Sequence, residues 1–332
     1  MYIGWVHHYV PKLFAALSFL INPFFVYLVF TDKKANLGNY RWLLVYFASF
    51  NIAYSIVDIL IPLGMHGYRY CFFFFVPDGP FTLNNTYSHY AFLGRCSMVS
   101  CGYAILITHF VYRYMIIHRN DIITKHFLGF MTCSFLLCGV YFAIWAFVCQ
   151  NYMLVTPDIR DYVQNSFHEI YGGDSQTINA IATIYDEVLE SSVIRSRIGV
   201  VLLITFPLMT IFFYIFIGYK ILEELGKTSL QMSQKTKDMQ RRLFEALAIQ
   251  TVIPILVSFS PCMICLLAPA FNIELGRTIN YSGVIAFALF PFFDPLAIIF
   301  CIPVIRNRVV PMFCGAGAHV GTGNTSSAHT SN

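Results

Sequence analysis

Hydrophobic residues along the chain are grouped into seven long apolar runs, and the short segments between them carry most of the charged residues. Each run has roughly 18 to 26 residues, the length that an α-helix needs to cross about 30 Å of hydrocarbon. The pattern predicts an all-α, polytopic membrane protein folded as one bundle of seven transmembrane helices. The runs lie at about residues 13–30, 42–64, 91–117, 128–149, 198–222, 243–268 and 278–303.

The composition supports a membrane-embedded chain. Of 332 residues, 57% are hydrophobic and 11% are charged, whereas a soluble domain typically carries about 25% charged residues. The net charge of +4 is small, and the basic residues lie in the loops, so no nucleic-acid partner is implied. The CxxC pair Cys262 and Cys265 has no second pair at zinc spacing, so neither a metal nor a cofactor is expected.

The distribution of basic residues predicts the orientation. Fourteen Lys and Arg residues lie in loops that are cytosolic if the N-terminus is outside, and six lie on the opposite face. By the positive-inside rule, the N-terminus is extracellular. Residues 1–12 then form a short extracellular segment before a bundle at 13–303. The sequon Asn84-Asn85-Thr86 falls in an extracellular loop, so Asn84 is predicted to be glycosylated.

The loop between the fourth and fifth runs is long and acidic, which predicts structure of its own. After Gly172-Gly173, apolar residues recur at helical spacing, which predicts a short amphipathic helix over the bundle. Such a helix either shields the loop backbone or acts as a lid with a role in ligand binding. The residues that give this spacing are Ile178, Ile181, Ile184, Tyr185 and Val188.

The C-terminal part of the chain has two predicted segments. Residues 304–314 mix basic and apolar side chains, a pattern that predicts a helix along the inner membrane surface in contact with lipid. Cys314 would then lie within reach of the bilayer as an acylation site. Residues 315–332 have no apolar pattern and are expected to form a disordered cytoplasmic tail.

Polar side chains at membrane depth are costly and are therefore candidates for function. Asn22, Asn51 and Asp294 lie at a similar depth in the inner halves of their runs, and Pro295 follows the aspartate. A shared polar cluster would allow its hydrogen bonds to rearrange when the helices move. The alternative is that the two asparagines only hold neighbouring helices together.

Asp58 and Arg95 lie in the outer halves of their runs, where a pocket open to the extracellular side is expected. They would pair with each other or with a ligand. The other pocket candidates are apolar or aromatic and suit a small, poorly charged molecule, although for any one of them ordinary helix packing is the favoured explanation. These candidates are Met98, Gly102, Phe259, Met263 and Tyr281.

Arg113 lies at the cytosolic end of the third run, in Tyr112-Arg113-Tyr114. It is either an interface residue that extends to the membrane surface or a residue that takes part in signalling. Glu245, at the inner start of the sixth run, is a candidate partner for Arg113 in a resting state. Arg241 and Arg242 compete for the same glutamate.

Enzyme motifs are missing from the sequence: there is no Gly-rich phosphate loop, GxSxG elbow or HExxH pair. A seven-span channel or transporter is the alternative to a receptor. A channel would place charged residues along a continuous path, of which this chain has few, and many transporters carry two related halves, which are not evident here.

Four motifs in order resemble the nematode serpentine chemoreceptors of the Str type, the group that includes the nematode diacetyl odorant receptor. The motifs are Leu37-Gly38-Asn39-Tyr40-Arg41, His109-Phe110-Val111-Tyr112-Arg113-Tyr114, Gln240-Arg241-Arg242-Leu243-Phe244-Glu245-Ala246-Leu247 followed by Gln250-Thr251-Val252-Ile253-Pro254, and Asp294-Pro295-Leu296. The resemblance implies a G-protein-coupled receptor in the sensory cilium of a chemosensory neuron. Its partners would be a small-molecule odorant or other chemical cue and a heterotrimeric G protein.

The resemblance also implies roles for particular residues. Tyr112-Arg113-Tyr114 is similar to the acidic-Arg-aromatic triplet of rhodopsin-like receptors, and Asp294-Pro295 is similar to their Asn-Pro element. The sixth helix, interrupted by Pro254 and Pro261, would swing to open a cytosolic cavity. This sequence departs from the rhodopsin-like pattern at Tyr112, which replaces the acid, and in the long loop, which contains no cysteine.

Overall fold

The computed structural model describes residues 4–31, 37–118, 121–227 and 234–314. Within these residues, seven helical segments are long and apolar enough to cross a membrane, which confirms the predicted seven-helix bundle. The helices in chain order are α1 (Trp5–Thr31), α2 (Tyr40–Leu60), α3 (Thr86–Ile117), α4 (Asp121–Lys125), α5 (Phe127–Tyr152), α6 (Pro157–Tyr171), α7 (Glu190–Lys227), α8 (Gln234–Ile253), α9 (Ser260–Leu267), α10 (Arg277–Cys301) and α11 (Pro303–Cys314).

Two boundaries differ from the prediction. Helix α1 begins at Trp5, so most of residues 1–12, predicted as a short extracellular segment before the bundle, belongs to the first helix. Helix α2 ends at Leu60, because the chain then enters a β-strand at Gly64. We call the end of the bundle that carries Trp5 the outer end, and the opposite end the inner end.

The sixth span is interrupted at its prolines. Between α8 and α9, residues Pro254–Phe259 form a π-helical turn. Pro254 has no N–H to donate to the carbonyl four residues earlier, and Pro261 leaves a second carbonyl without its usual donor. A π-turn is a common result of such an interruption and marks a deformable point in a helix.

A three-stranded antiparallel sheet lies at the outer end and was not predicted. Its strands are β1 (Gly64–Tyr68), β2 (Cys71–Phe75) and β3 (Ala180–Ile184), in the spatial order β1-β2-β3. The sheet is apolar on both faces. Phe72 and Phe74 of β2 pack inward onto the bundle core, whereas Phe73 and Phe75 pack outward against α6. We call this sheet together with α6 the outer cap.

Helix α6 explains the length of the loop between the fourth and fifth spans. Its buried apolar residues, Ile159, Val163, Phe167 and Tyr171, recur every four positions and cover the outer face of the sheet. The helix ends at Gly172, whose φ of 63° is in the left-handed region that glycine adopts without strain.

The amphipathic helix predicted after Gly172-Gly173 is wrong, because that segment contains β3 and the helix precedes the glycines. The reason is that β3 is buried on both faces. A strand of this kind has no alternation of apolar and polar residues and cannot be distinguished from a short helix by spacing alone.

The outer cap also contains a buried histidine, His66 of β1. Its ring lies 5.8 Å from the Phe167 ring and 5.5 Å from the Tyr171 ring, measured between centroids. Burial in this apolar setting lowers the pKa of His66 to about 4, so the side chain is neutral at neutral pH.

Helix α11 follows the seventh span, as predicted, and Ile305 packs with Val309 against the inner core. The Arg308 guanidinium donates a 2.7 Å hydrogen bond to the Thr31 hydroxyl, which fastens α11 to the end of α1. The predicted acylation site, Cys314, ends this helix. The predicted tail at 315–332 lies outside the described residues.

Asn84 is exposed at the outer end, beside the first turn of α3. We expect enzymatic deglycosylation to increase the mobility of the wild-type protein on a gel and to leave Asn84→Gln unchanged. Asn85 caps α3 through a 2.9 Å bond from the Ser88 N–H, so Asn85→Ser, which preserves both a cap and the sequon, is the matched control and should still shift. An unshifted wild-type protein would contradict the predicted orientation.

Candidate functional site

A cavity of about 70 Å³ lies beneath the outer cap. Phe72, Phe74 and Ile181 of the sheet form its roof. The floor and walls come from α3, α5, α7, the sixth span and α10. The wall and floor residues are Cys96, Val99, Tyr103, Trp145, Cys149, Met153, Leu203, Phe259, Cys262, Met263, Leu266 and Phe287, and Leu63 lies at the edge of the roof.

Two of the five apolar residues predicted to form the outer pocket, Phe259 and Met263, line this cavity. The other three lie elsewhere. Met98 faces an open groove between α2 and α5, and Gly102 lines a smaller inner cavity. Tyr281 packs under the cap, where its ring stacks on His7 at 3.4 Å between centroids.

The roof residues were missed because Cys71–Phe75 lies outside the seven runs. The available signal was the run of four phenylalanines itself, which is too apolar for an exposed loop.

Asp58 and Arg95, whose partners the sequence left open, pair with each other. The Arg95 guanidinium donates a 2.5 Å hydrogen bond to the Asp58 carboxylate, and the Arg95 side chain is fully buried. The guanidinium carbon also lies 4.3 Å from the centroid of the Tyr54 ring. The pair links α2 to α3 and does not line the cavity beneath the cap.

Asn22 and Asn51 are joined deeper in the bundle. The Asn51 side-chain amide donates to the Asn22 side-chain oxygen at 3.3 Å. Asn22 in turn donates 2.9 Å bonds to the Pro291 carbonyl and to Ser18. The Ser55 hydroxyl, which contacts the Ser18 hydroxyl at 2.9 Å, completes a polar cluster that spans α1, α2 and α10.

Asp294 lies outside that hydrogen-bonded cluster. It is 1% exposed, and its Oδ1 atom has no hydrogen-bond partner among the described residues. It faces a cavity of about 30 Å³, whose lining includes Gly102, Tyr103 and Pro254. Tyr103 also lines the cavity beneath the cap, so the two cavities share a wall.

A third cavity, of about 270 Å³, opens at the inner end around Arg113. Arg113 is 2% exposed, which excludes an anchor at the membrane surface. Its Nη1 atom donates a 3.1 Å hydrogen bond to the Gln240 side chain, and its guanidinium carbon lies 3.5 Å from the Tyr40 ring centroid. The Nε and Nη2 atoms have no hydrogen-bond partner in the described part of the chain.

Tyr40 and Tyr112 hold this arginine in place. The two rings stack with centroids 5.5 Å apart, and the Tyr40 hydroxyl contacts His109 Nδ1 at 3.1 Å. Tyr114 packs instead against a buried cluster that includes Phe110 and residues of α7. The two tyrosines of the triplet therefore lie on different sides of α3, Tyr112 toward Tyr40 and Tyr114 toward α7.

The predicted pairing of Arg113 with Glu245 is wrong. Glu245 accepts a 3.1 Å hydrogen bond from Arg241, one turn earlier on the exposed face of α8, and Arg242 is exposed as well. Gln240, the partner of Arg113, is five residues from Glu245 and therefore lies about 140° away around the helix.

Comparisons with known proteins identify the family. The model of the serpentine type 7TM GPCR chemoreceptor family Srj matches residues 1–309. The chain belongs to the Srj family.

Among relatives, the chain is 38% identical to serpentine receptor class J-38 of Caenorhabditis elegans over 92% of both chains. It is 25% identical to serpentine receptor class r-10 of the same organism, over 90% of this chain and 88% of the relative. It is also 25% identical to the G-protein coupled receptor str-33 of C. elegans, over 92% and 91%.

The resemblance to nematode serpentine chemoreceptors is thus confirmed, with Srj as the class and Str receptors as relatives at lower identity. The Srj receptor is a multi-pass membrane protein of a chemoreceptor family. Among its described residues, no group of three or more His, Cys, Asp or Glu side chains is arranged to hold a metal ion.

We expect Asp58→Asn to destabilise the Srj receptor by about 3–5 kcal/mol, because it leaves the Arg95 charge buried without a counter-charge. Thermal unfolding of the detergent-solubilised receptor, followed by size-exclusion chromatography, measures the effect. Asp58→Asn combined with Arg95→Met should recover part of the loss.

The control is the ion pair of Arg69 with Glu187 in the outer cap, whose N–O distance is 2.6 Å but whose side chains are partly exposed. Arg69→Gln should lower the melting temperature far less than Asp58→Asn, because solvent screens an exposed ion pair. Equal melting temperatures for Asp58→Asn and Arg69→Gln would contradict a structural role for the buried pair.

Proposed function

We propose that this Srj receptor binds a small, uncharged molecule in the cavity beneath the outer cap and activates a heterotrimeric G protein through the inner cavity around Arg113. One observation carries the proposal. The sixth span lines both cavities, with Phe259 and Met263 in the outer cavity and Gln240 in the inner one.

The π-turn at Pro254–Phe259 separates Gln240 from Met263 and itself contributes Phe259 to the outer cavity, and Pro254 lines the cavity that Asp294 faces. A ligand that displaces Phe259 would therefore act on the helix at its most deformable point. In the proposed mechanism, the ligand binds more tightly to a conformation in which α8 has moved away from Arg113, and the population shifts toward that state.

The polar cluster and Asp294 have the proposed role of a switch region between the two cavities. Asn22 and Asn51 fix α10 to α1 and α2, whereas the Oδ1 atom of Asp294 has no hydrogen-bond partner among the described residues and faces α3 and the sixth span. A buried carboxyl oxygen without a hydrogen-bond partner is stabilised by any rearrangement that brings a donor to it. Pro295 has no N–H, which leaves the Pro291 carbonyl of α10 free to accept the hydrogen bond from Asn22.

Family membership favours a receptor over the alternative of a channel or transporter. The sensory cilium of a chemosensory neuron is the proposed location, on the resemblance to serpentine chemoreceptors. The general test is a second-messenger response to a panel of volatile and water-soluble compounds in a heterologous cell. A ligand-evoked current that persists when G proteins are blocked would instead indicate a channel.

In the outer cavity, Phe259→Ala should raise the ligand concentration for half-maximal response by about tenfold or more, because removing a ring that contacts ligand costs about as much as one well-packed aromatic contact. The control is Phe212→Ala on the bilayer-facing side of α7, which is 72% exposed and should leave the response unchanged. Equal responses of both variants, at matched surface levels, would remove Phe259 from the ligand site.

In the inner cavity, Arg113→Lys should reach the cell surface and bind ligand but lower the maximal G-protein response by about tenfold or more. Lysine keeps the charge but lacks the planar fork that places donors toward Gln240 and toward a partner at once. Arg41→Lys is the control, since Arg41 packs on the exposed rings of Phe30 and Trp42 outside the cavity. Near-normal coupling of Arg113→Lys and Arg113→Ala alike would exclude the role.

A further inference from the structure

Sulfur-containing side chains are concentrated around the cavity beneath the outer cap. Five of the sixteen residues that line it are Cys or Met, whereas the chain has ten Cys and eleven Met among 332 residues. Sulfur is thus several times more frequent around the cavity than along the chain. The five residues are Cys96, Cys149, Met153, Cys262 and Met263.

These residues reach the cavity from three directions. Cys96 lies on α3, Cys149 and Met153 lie at the outer end of α5, and Cys262 and Met263 lie on α9. Met153 is fixed to the cap, because its carbonyl accepts a 2.9 Å hydrogen bond from the Ala182 N–H of β3. The three cysteines are free thiols.

The remaining lining is aliphatic or aromatic, and none of the sixteen residues is charged. The strong hydrogen-bond donors among them are the Tyr103 hydroxyl and the Trp145 indole N–H, and thiols donate only weakly. Polar atoms nevertheless form only a small part of the cavity surface, so the cavity attracts a ligand mainly through dispersion and sulfur–aromatic contacts.

An ether or carbonyl oxygen that enters such a cavity leaves its water partners without full replacement, which costs free energy. A thioether is weakly hydrated and polarizable, and it loses little on entry. We propose that the outer cavity selects small, neutral, sulfur-containing molecules over their oxygen counterparts. This inference rests on the proposed ligand-binding role of the cavity and adds its chemical preference.

The cavity volume limits the size of the ligand. An apolar cavity of about 150 Å³ holds benzene, with six heavy atoms, so a cavity of half that volume holds about three. Dimethyl sulfide has three heavy atoms, and dimethyl ether is its oxygen counterpart of the same connectivity. A larger ligand would extend beyond this volume.

The test compares the binding of dimethyl sulfide and dimethyl ether to the full-length receptor in lipid nanodiscs. Binding is measured as the dose-dependent rise in melting temperature, after correction for partitioning of each compound into empty nanodiscs. We expect a dissociation constant about three- to tenfold lower for the sulfide, the size of effect that one or two sulfur–aromatic contacts give.

Cys262→Ser replaces a weak donor in the cavity with a hydroxyl of nearly the same size. It should reduce or reverse the preference for the sulfide, because the hydroxyl can now donate to the ether oxygen. Cys133→Ser makes the same chemical change at an exposed position of α5 outside the cavity and should leave the preference intact. Met263→Leu, which keeps the volume, is a second variant and should weaken sulfide binding by about twofold.

The outcomes distinguish the preference for sulfur from ligand binding in the cavity. If both compounds bind with equal affinity and Cys262→Ser changes neither, the preference for sulfur is overturned while ligand binding in the cavity stands. If neither compound gives saturable binding, the ligand cavity itself is overturned, and the preference with it. A loss of preference in Cys133→Ser would show that the effect arises outside the cavity.

Discussion

Hydrocarbon offers no hydrogen-bond partner to a backbone carbonyl, and this constraint shapes the helices of the Srj receptor that contain proline. Pro295 has no N–H, so it cannot bond the carbonyl of Pro291, four residues earlier. The structure meets the deficit from another helix: Asn22 donates to that carbonyl at 2.9 Å and Ser18 at 3.4 Å. The carbonyl that Pro295 leaves without a donor thereby links α10 to α1 through hydrogen bonds. The sixth span meets the same constraint within itself, by widening into a π-turn, and among the described residues no side chain of another helix bonds to its backbone there.

The outer end is governed by a different constraint, which is the need to bury a sheet that is apolar on both faces. Its inner face forms the roof of the proposed ligand cavity, and its outer face is covered by α6. A neutral His66, with a pKa lowered to about 4, fits the apolar layer between the sheet and α6. The cap covers the proposed ligand cavity from above, so a ligand would enter either between helices from the bilayer or past the cap. An apolar molecule that concentrates in lipid suits the first route.

The seven spans could be predicted from the sequence because hydrophobic run length reports directly on membrane thickness. The contact of Asn22 with Asn51 was also accessible, since depth along a straight helix follows from residue number. The partners of Arg113 were not, because they depend on the rotation of α8, which places Gln240 inward and Glu245 outward. The cap was misread for a related reason: both faces of β3 are buried, and its side chains therefore give no periodic signal.

The neutrality of the partners of Arg113 fits the proposed size of the ligand. A buried hydrogen bond from a charged group contributes about 1.5–3 kcal/mol, and a desolvated cation–π contact about 2 kcal/mol. Moving a resting equilibrium from 1:99 to 99:1 requires a ligand that prefers the active state by about 5.5 kcal/mol. A ligand of about three heavy atoms supplies at most about 1.5 kcal/mol per atom, or roughly 4.5 kcal/mol in all.

So small a ligand can therefore activate only a receptor whose resting state is weakly biased. A buried carboxylate opposite Arg113 would strengthen that bias, because breaking a buried ion pair costs about 3–5 kcal/mol. Gln240 gives the arginine a hydrogen bond without a counter-charge, and the sequence has Tyr112 where rhodopsin-like receptors have an acid. The neutral side chains of Gln240 and Tyr112 both lower the free energy needed to separate Arg113 from its partners. That free energy is then small enough to be supplied by a ligand that fits a cavity of about 70 Å³.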